Sequence, residues 1–270
     1  MDAHEKLNRL KENIRRMGSL AVAFSGGVDS TFLLKVAVDV LGNRALAVTA
    51  RSSTYPAREL REAEAFAKSI GARHAVIDSE ELEIAGYADN PVNLCYYCKH
   101  ELFEKVKAVA RQNGIRYVSD GSNLDDLGDY RPGMQAAKEL EVASPLKAAE
   151  MTKEDIRLLS KEMGLPTWNK PAFACLASRF PYGQKITREK LAMVDKAEQF
   201  LLDLGFRQVR VRHHGDLARV EVGPGELSRF FNEELMQRVY AEFHKIGFTY
   251  VTLDMRGYRT GSMNEAILKH

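Results

Sequence analysis

Residues 20–24 form a short apolar run that breaks at Ser25-Gly26-Gly27-Val28-Asp29-Ser30, and residues 31–41 resume as an apolar segment closed by Gly42. The first run has the length of a buried parallel strand, and the second is long enough for a helix. A strand, a glycine-rich turn and a helix N-terminus together make an anion site. Backbone N–H groups point into the turn, the helix dipole adds partial positive charge, and Ser25 and Ser30 offer hydroxyl donors. Gly26 and Gly27 let the backbone approach a phosphate where a Cβ would collide. Asp29 supplies a carboxylate close to metal or phosphate. The bland alternative is a glycine turn that merely joins strand to helix.

The stretch is not the G-x-x-x-x-G-K-[ST] loop, because no lysine follows the glycines to reach a γ-phosphate, and it is not G-x-G-x-x-G. SGGVDS after an apolar strand resembles the PP-loop of the ATP pyrophosphatase superfamily. That resemblance implies cleavage of ATP between its α- and β-phosphates, with the loop holding the departing pyrophosphate. It leaves the second substrate open.

The pattern around the loop repeats. Residues 45–50 read as a second buried strand, 74–77 as a third strand with a helix over 56–70 between them, and 117–119 as another strand. Strands alternating with helices predict an α/β fold, a doubly wound parallel sheet whose ligand site lies beyond the strands' carboxyl ends. Leu7, Leu10, Ile14 and Met17 put an amphipathic helix ahead of it. Thr152-Lys-Glu-Asp155 is a capping box opening a helix that Gly164 and Pro166 stop. Residues 168–183 have little periodicity and read as a linker or functional loop. From Thr187 the pattern restarts: a helix to Gly205, strands over 208–213 and 218–222, a helix over 233–245 and a strand over 249–253. This predicts a domain over 1–170, a loop over 171–186 and a second, smaller α/β domain over 187–270.

A chain of 270 residues, 45% hydrophobic and 28% charged, can build proper cores. Its net charge of +2 gives no global basic field for nucleic acid. No apolar stretch approaches membrane-spanning length, and the N-terminus does not read as a signal peptide, so the expected location is the cytoplasm. The three cysteines, Cys95, Cys98 and Cys175, are too few and odd in number for a disulfide scaffold.

Cys95 and Cys98 form C-x-x-C at a helix start, where the dipole favours thiolates, and Cys175 can join them in space. Three cysteines suit a 4Fe-4S cluster with one iron open. A structural zinc with His100 as a further ligand is the competing reading, and a redox couple a second one; spacing alone does not separate cluster from zinc. Asp125 and Asp126, in GSNLDD, are carboxylates suited to helping ATP's phosphates hold Mg²⁺, with a plain polar turn as the alternative. Arg210, Arg212 and His214 recur every second residue, so one strand face carries all three while Val209 and Val211 face inward. Such a face can grip a phosphate with forked guanidinium donors, or simply be solvated. Trp168 reads as packing.

Taken together, SGGVDS at 25–30, GSNLDD at 121–126, ACLASRFPYGQKIT at 174–187, VRVRHHGDLARVEV at 209–222 and GYRTGSMNE at 257–265 resemble the LarE family. These are ATP-dependent sulfur transferases of nickel-pincer nucleotide (lactate racemase cofactor) biosynthesis. The resemblance implies that a carboxylate of a pyridinium dicarboxylate mononucleotide attacks the α-phosphorus of ATP. Pyrophosphate leaves, and a sulfur nucleophile displaces AMP to give a thiocarboxylate. It also implies ATP-binding Ser25, Gly26, Gly27, Asp29, Ser30 and Asp126, substrate-phosphate residues Arg210 and Arg212, and Ser178 and Arg179 beside the sulfur. One branch of the family sacrifices a cysteine matching Cys175. The added Cys95 and Cys98 resemble the branch with a three-cysteine 4Fe-4S cluster, which moves the expectation from zinc to cluster. Family members assemble as homo-hexamers. The alternatives are a PP-loop tRNA thiolase, opposed by the near-neutral charge, and a non-enzymatic nucleotide-sensing or zinc-stabilised module.

Overall fold

In the first unit the apolar runs become a four-stranded parallel sheet. The computed structural model describes residues 1–128, 132–171 and 174–263. The chain divides into two units, Met1–Glu81 with Asn93–Phe173, and Leu82–Val92 with Ala174–His270. The first unit begins with α1 (Ala3–Met17), capped reciprocally by Asp2 and Glu5. It continues through β1 (Leu20–Ala23), α2 (Val28–Leu41), β2 (Ala45–Arg51), α3 (Ala57–Ser69), β3 (Arg73–Asp78), α4 (Leu94–Gln112) and β4 (Tyr117–Ser119). Three shorter helices follow: α5 (Pro132–Glu139), α6 (Pro145–Ala148) and α7 (Lys153–Glu162).

The strand order is β3-β2-β1-β4, every pairing parallel. The period-2 alternation of a strand sends neighbouring residues to opposite faces. Leu20 and Val22 join one buried cluster with α1, α2, α3 and α7, while Ala21 joins another with Val106 and Ala110 of α4. Helices therefore cover both faces, which is why these strands read as continuous apolar runs. The chain winds outward from β1 to β3 and then returns to β4 on β1's other side. This places the switch in strand order between β1 and β4, where the turn after β1 and the loop after β4 both emerge.

The second unit contains α8 (Arg188–Asp203), β5 (Val209–His214), β6 (Leu217–Val222), α9 (Glu233–Ile246) and β7 (Tyr250–Leu253). β5 and β6 form a hairpin through Gly215 and Asp216, with Gly215 at φ +67°. β7 adds to β6 in parallel. Val209, Val211 and Val220 pack on Ala197, Leu201 and Phe243 of the two helices. Among the described residues, no helix is long and apolar enough to cross a membrane.

One local difference from the sequence reading matters for chemistry. The apolar pattern predicts a helix resuming at residue 31, but α2 starts at Val28, so Asp29 and Ser30 sit in its first turn. Its N-cap is Gly27, which is extended and has no side chain to bond the first-turn N–H groups. The missing cap leaves that role to something else.

Candidate functional site

Ser25-Gly26-Gly27 carries the chain from β1 into α2. Gly26 has φ +62°, a conformation that favours glycine, and a Cβ there would lie 3.3 Å from the Cβ of Ala63 on α3. The Ser25 and Ser30 hydroxyls lie 3.1 Å apart, and the Ser30 hydroxyl also accepts the Ser25 N–H at 3.3 Å. These bonds close the turn into a ring, with the first-turn amides of α2 at its rim.

The loop after β4 meets this ring. A Cβ on Gly121 would stand 3.1 Å from the Ser30 backbone nitrogen and 3.4 Å from the Asp29 Cβ. Asn123, almost wholly buried, donates from Nδ2 to Asp29 Oδ1 at 3.2 Å. Lys153, the first residue of α7, bonds the other Asp29 oxygen through Nζ. Thr152 caps that helix in the reciprocal arrangement with Asp155 that the sequence motif predicts. The Lys153 N–H is held by Asp125 at 2.7 Å. Asp126 accepts the Asn123 N–H at 3.0 Å and so ties its own turn. Asp29 is therefore the carboxylate oriented from both sides, and Asp125 and Asp126 are engaged with backbone.

Gly121→Ala tests this close approach. The methyl can be admitted only by moving the first turn of α2, because the atom it meets is backbone. Overpacking of this kind costs about 1–3 kcal/mol in stability. A displaced cradle is expected to cost a further ~10-fold or more in kcat/KM for ATP. Melting and steady-state turnover on the same preparation check both.

Cys95 is exposed in the first turn of α4, and Cys98 follows one turn on, partly buried. The Cys98 thiol lies 3.7 Å from Oε1 of Glu81, whose carboxyl burial pushes above its ordinary range. His100 faces Glu104 at 3.5 Å. Within either unit, among the described residues, no three His, Cys, Asp or Glu side chains are grouped to hold a metal ion. Trp168 is partly exposed, with the Lys161 ammonium 5.1 Å from its ring centre.

In the second unit, Cys175 precedes a short 3₁₀ turn over Leu176–Arg179. Arg179 has no exposure at all. Its Nε and Nη2 form a forked pair with Glu198 at 2.7 and 2.9 Å, and Nη1 donates to the Ala174 and Cys175 carbonyls and to the Ser178 hydroxyl. Burial alone would raise the Glu198 pKa, but Arg179 overrides it and holds the carboxylate below its ordinary range. Arg179 thus fixes the backbone at Cys175 and the side chain of Ser178.

The alternating arginines of β5 occupy one face, as their spacing predicts, but that face is covered too: Arg210 is 7% exposed and Arg212 5%. Arg212 bonds Glu221, the Ser262 hydroxyl and the Ser178 carbonyl at 2.7, 3.0 and 3.1 Å. Arg210 lies over the Tyr258 ring, and burial, with Arg179 next, pushes its pKa down to about 10. Among the described residues, three buried guanidiniums, Arg179, Arg210 and Arg212, thus stand with two buried carboxylates, Glu198 and Glu221, an excess of one positive charge. Asn264 and Glu265 of the last motif, and residues 172 and 173 of the expected loop, lie outside the described residues. The sequence reading did not reach Asn123, Lys153, Glu198 or Glu221. Asn123 lay inside GSNLDD, Lys153 inside the Thr152 capping box and Glu221 inside VRVRHHGDLARVEV, whereas Glu198 carried no local signal.

An NAD synthase family model matches residues 4–111. An uncharacterized protein of Synechocystis sp. is 45% identical over 98% of this chain and 98% of its own length. The pyridinium-3,5-bisthiocarboxylic acid mononucleotide synthase of Lactiplantibacillus plantarum is 39% identical over 95% of this chain and 92% of its own. A tRNA-specific 2-thiouridylase of Xanthobacter autotrophicus is more distant, at 26% over 73% of this chain and 60% of its own length. The strand-turn-helix cradle at the switch point of a parallel sheet defines a PP-loop protein of the ATP pyrophosphatase class. Within that class the chain belongs to the LarE family of ATP-dependent sulfurtransferases.

Proposed function

We propose that this enzyme adenylates the carboxylates of a pyridinium dicarboxylate mononucleotide and converts them to thiocarboxylates in the cytoplasm, as a homo-oligomer of hexameric type. The observation that carries this reading is Asp29, held by Asn123 and Lys153 beside a helix N-terminus that no side chain caps. The bare amides of α2 and the Ser25–Gly27 turn would take the β- and γ-phosphates. Asp29, with Asp126 as a weaker donor, would hold Mg²⁺, which neutralises phosphate charge when bound. The substrate carboxylate oxygen bonds to the α-phosphorus as the bond to the pyrophosphate oxygen breaks. Sulfur then adds to the acyl carbon and AMP leaves with the C–O electron pair.

Arg210 and Arg212 suit the substrate's phosphate, supported by the excess buried positive charge around them. Arg179 acts by shaping the Cys175–Ser178 turn, and Ser178 would stand beside the sulfur. In this reading residues 1–170 activate the substrate, 187–270 hold it, and 171–186 carry the reactive loop. The three thiolates suit a 4Fe-4S cluster as a donor set, and Cys95 lies where the α4 dipole favours ionisation. Such a cluster, when bound, supplies an open iron that can carry an additional sulfide. Cys95 and Cys98 belong to one unit and Cys175 to the other.

The test is incubation with ATP, Mg²⁺, sulfide and the pyridinium dicarboxylate mononucleotide. AMP, pyrophosphate and a substrate gaining sulfur for oxygen are expected, and ADP as product overturns the reading. Any tRNA binding is expected to be weak and lost in moderate salt, because only a diffuse electrostatic attraction would support it. Tight, salt-resistant binding of one tRNA would promote the thiolase reading instead.

A further inference from the structure

Behind the cradle, two side chains hold its carbonyls. The Tyr55 hydroxyl donates to the Ser25 carbonyl at 2.7 Å, and Lys170 Nζ donates to the Gly26 carbonyl at 3.4 Å. In a planar trans peptide the C=O and the following N–H point in opposite directions. Holding the Ser25 carbonyl outward therefore turns the Gly26 N–H inward, and holding the Gly26 carbonyl outward does the same for the Gly27 N–H. Nothing else about glycine would favour that orientation, because two adjacent glycines leave the peptide planes unusually mobile.

We infer that Tyr55 and Lys170 are positioning residues of the cradle, orienting the Gly26 and Gly27 amides toward the pyrophosphate portion of the nucleotide. The inference rests on the PP-loop reading above and adds two residues that no glycine-loop motif contains. The support for Lys170 is itself built. Its ammonium is held by Glu59 at 2.7 Å and by Glu62 at 2.6 Å, and Arg58 stands 3.9 Å from Glu59 on the other side. Burial alone would lower the Lys170 pKa, but the two carboxylates override it and keep the group charged. Burial and the same carboxylates push the Tyr55 phenol upward, so it remains an O–H donor. Both donors are fixed before any ligand arrives, as an oriented anion site requires.

The experiment uses the full chain and titrates inorganic pyrophosphate and, separately, adenosine into wild type, Tyr55→Phe, Lys170→Met and Lys170→Arg by calorimetry. Tyr55→Phe and Lys170→Met are expected to weaken pyrophosphate binding about tenfold each, with adenosine unchanged within about twofold. Lys170→Arg, which keeps a donor for the Gly26 carbonyl and a charge between the glutamates, is expected to restore most of the loss. A merely structural role would lower melting temperature or weaken both ligands alike, with no arginine rescue, and would overturn the inference. Variants binding pyrophosphate as wild type does would overturn it while leaving the PP-loop reading intact. Wild type failing to bind pyrophosphate at all would overturn both.

Discussion

Asp29→Ala is expected to remove AMP and pyrophosphate formation while leaving the fold in place. The carboxylate sits in the first turn of α2, with Asn123 on one oxygen and Lys153 on the other. A group fixed that firmly before the reaction needs no rearrangement as charge builds on the breaking phosphoanhydride. Loss of one such preorganised contact costs on the order of 3 kcal/mol or more in the transition state, a factor of 10² to 10³ in kcat. The cost in stability should be far smaller. The Asp29 side chain is 22% exposed and that of Lys153 38%, so their ion pair belongs to the class worth about 0–1 kcal/mol. Urea unfolding should therefore change by ~1 kcal/mol or less while turnover disappears. Asp29→Asn sharpens the experiment, because its amide oxygen keeps an acceptor for Asn123 while the charge and the acceptor for Lys153 are removed. An Asp29→Ala variant that still releases AMP at a tenth of the wild-type rate would move the essential carboxylate elsewhere.

How much of this site the sequence disclosed follows from how local each part is. The glycine turn was legible because strand, turn and helix are consecutive, and each has its own period. The start of α2 was not, because Val28-Asp29-Ser30 has no apolar rhythm and its cap is a glycine rather than a hydrogen-bonding side chain. Lys153 lies 124 residues from Asp29. Its helix was predicted from the Thr152 box, yet nothing in that box says which strand end the helix faces. The sheet decides that, by returning the chain to β4 beside β1. Tyr55 and Lys170 were hidden for the same reason, since their partners are backbone carbonyls that no side-chain pattern records.

The second unit shows the complementary limit. Alternation put Arg210 and Arg212 on one strand face, and it was right about the face. It missed the cover, because the Ala174–Arg179 turn and Ser262 carry no periodic signal. The face is not a solvated one: it is part of a buried network in which Arg179 and Arg212 have carboxylate partners. Arg210 shares that buried face, bonded to the Val209 carbonyl at 2.7 Å and lying over the Tyr258 ring. The short helices α5 and α6 were not predicted, since eight and four residues are too few to establish a helical period.

The source of sulfur separates two mechanisms that share Cys175, and the cysteines respond differently in each. A sacrificial donor needs Cys175 alone. After its sulfur has joined the acyl carbon, loss of the Cα proton breaks the Cβ–S bond, and dehydroalanine remains after one delivery per chain. A cluster needs all three thiolates, because removing one leaves an iron without a protein ligand and the cluster labile. Cys95 and Cys98, one turn apart at the start of α4, have no part in the first route and would both be required by the second. Cys95→Ser, Cys98→Ser and Cys175→Ser, each purified and reconstituted without oxygen, are therefore expected to lose bound iron and thiocarboxylate formation together. All three should still bind pyrophosphate, since none of them belongs to the Ser25–Ser30 loop. Wild type supplied with sulfide should turn over more than once, and Cys175 should keep its full mass. An active, iron-free Cys95→Ser variant, with dehydroalanine at position 175 after a single turnover, would instead establish the sacrificial route.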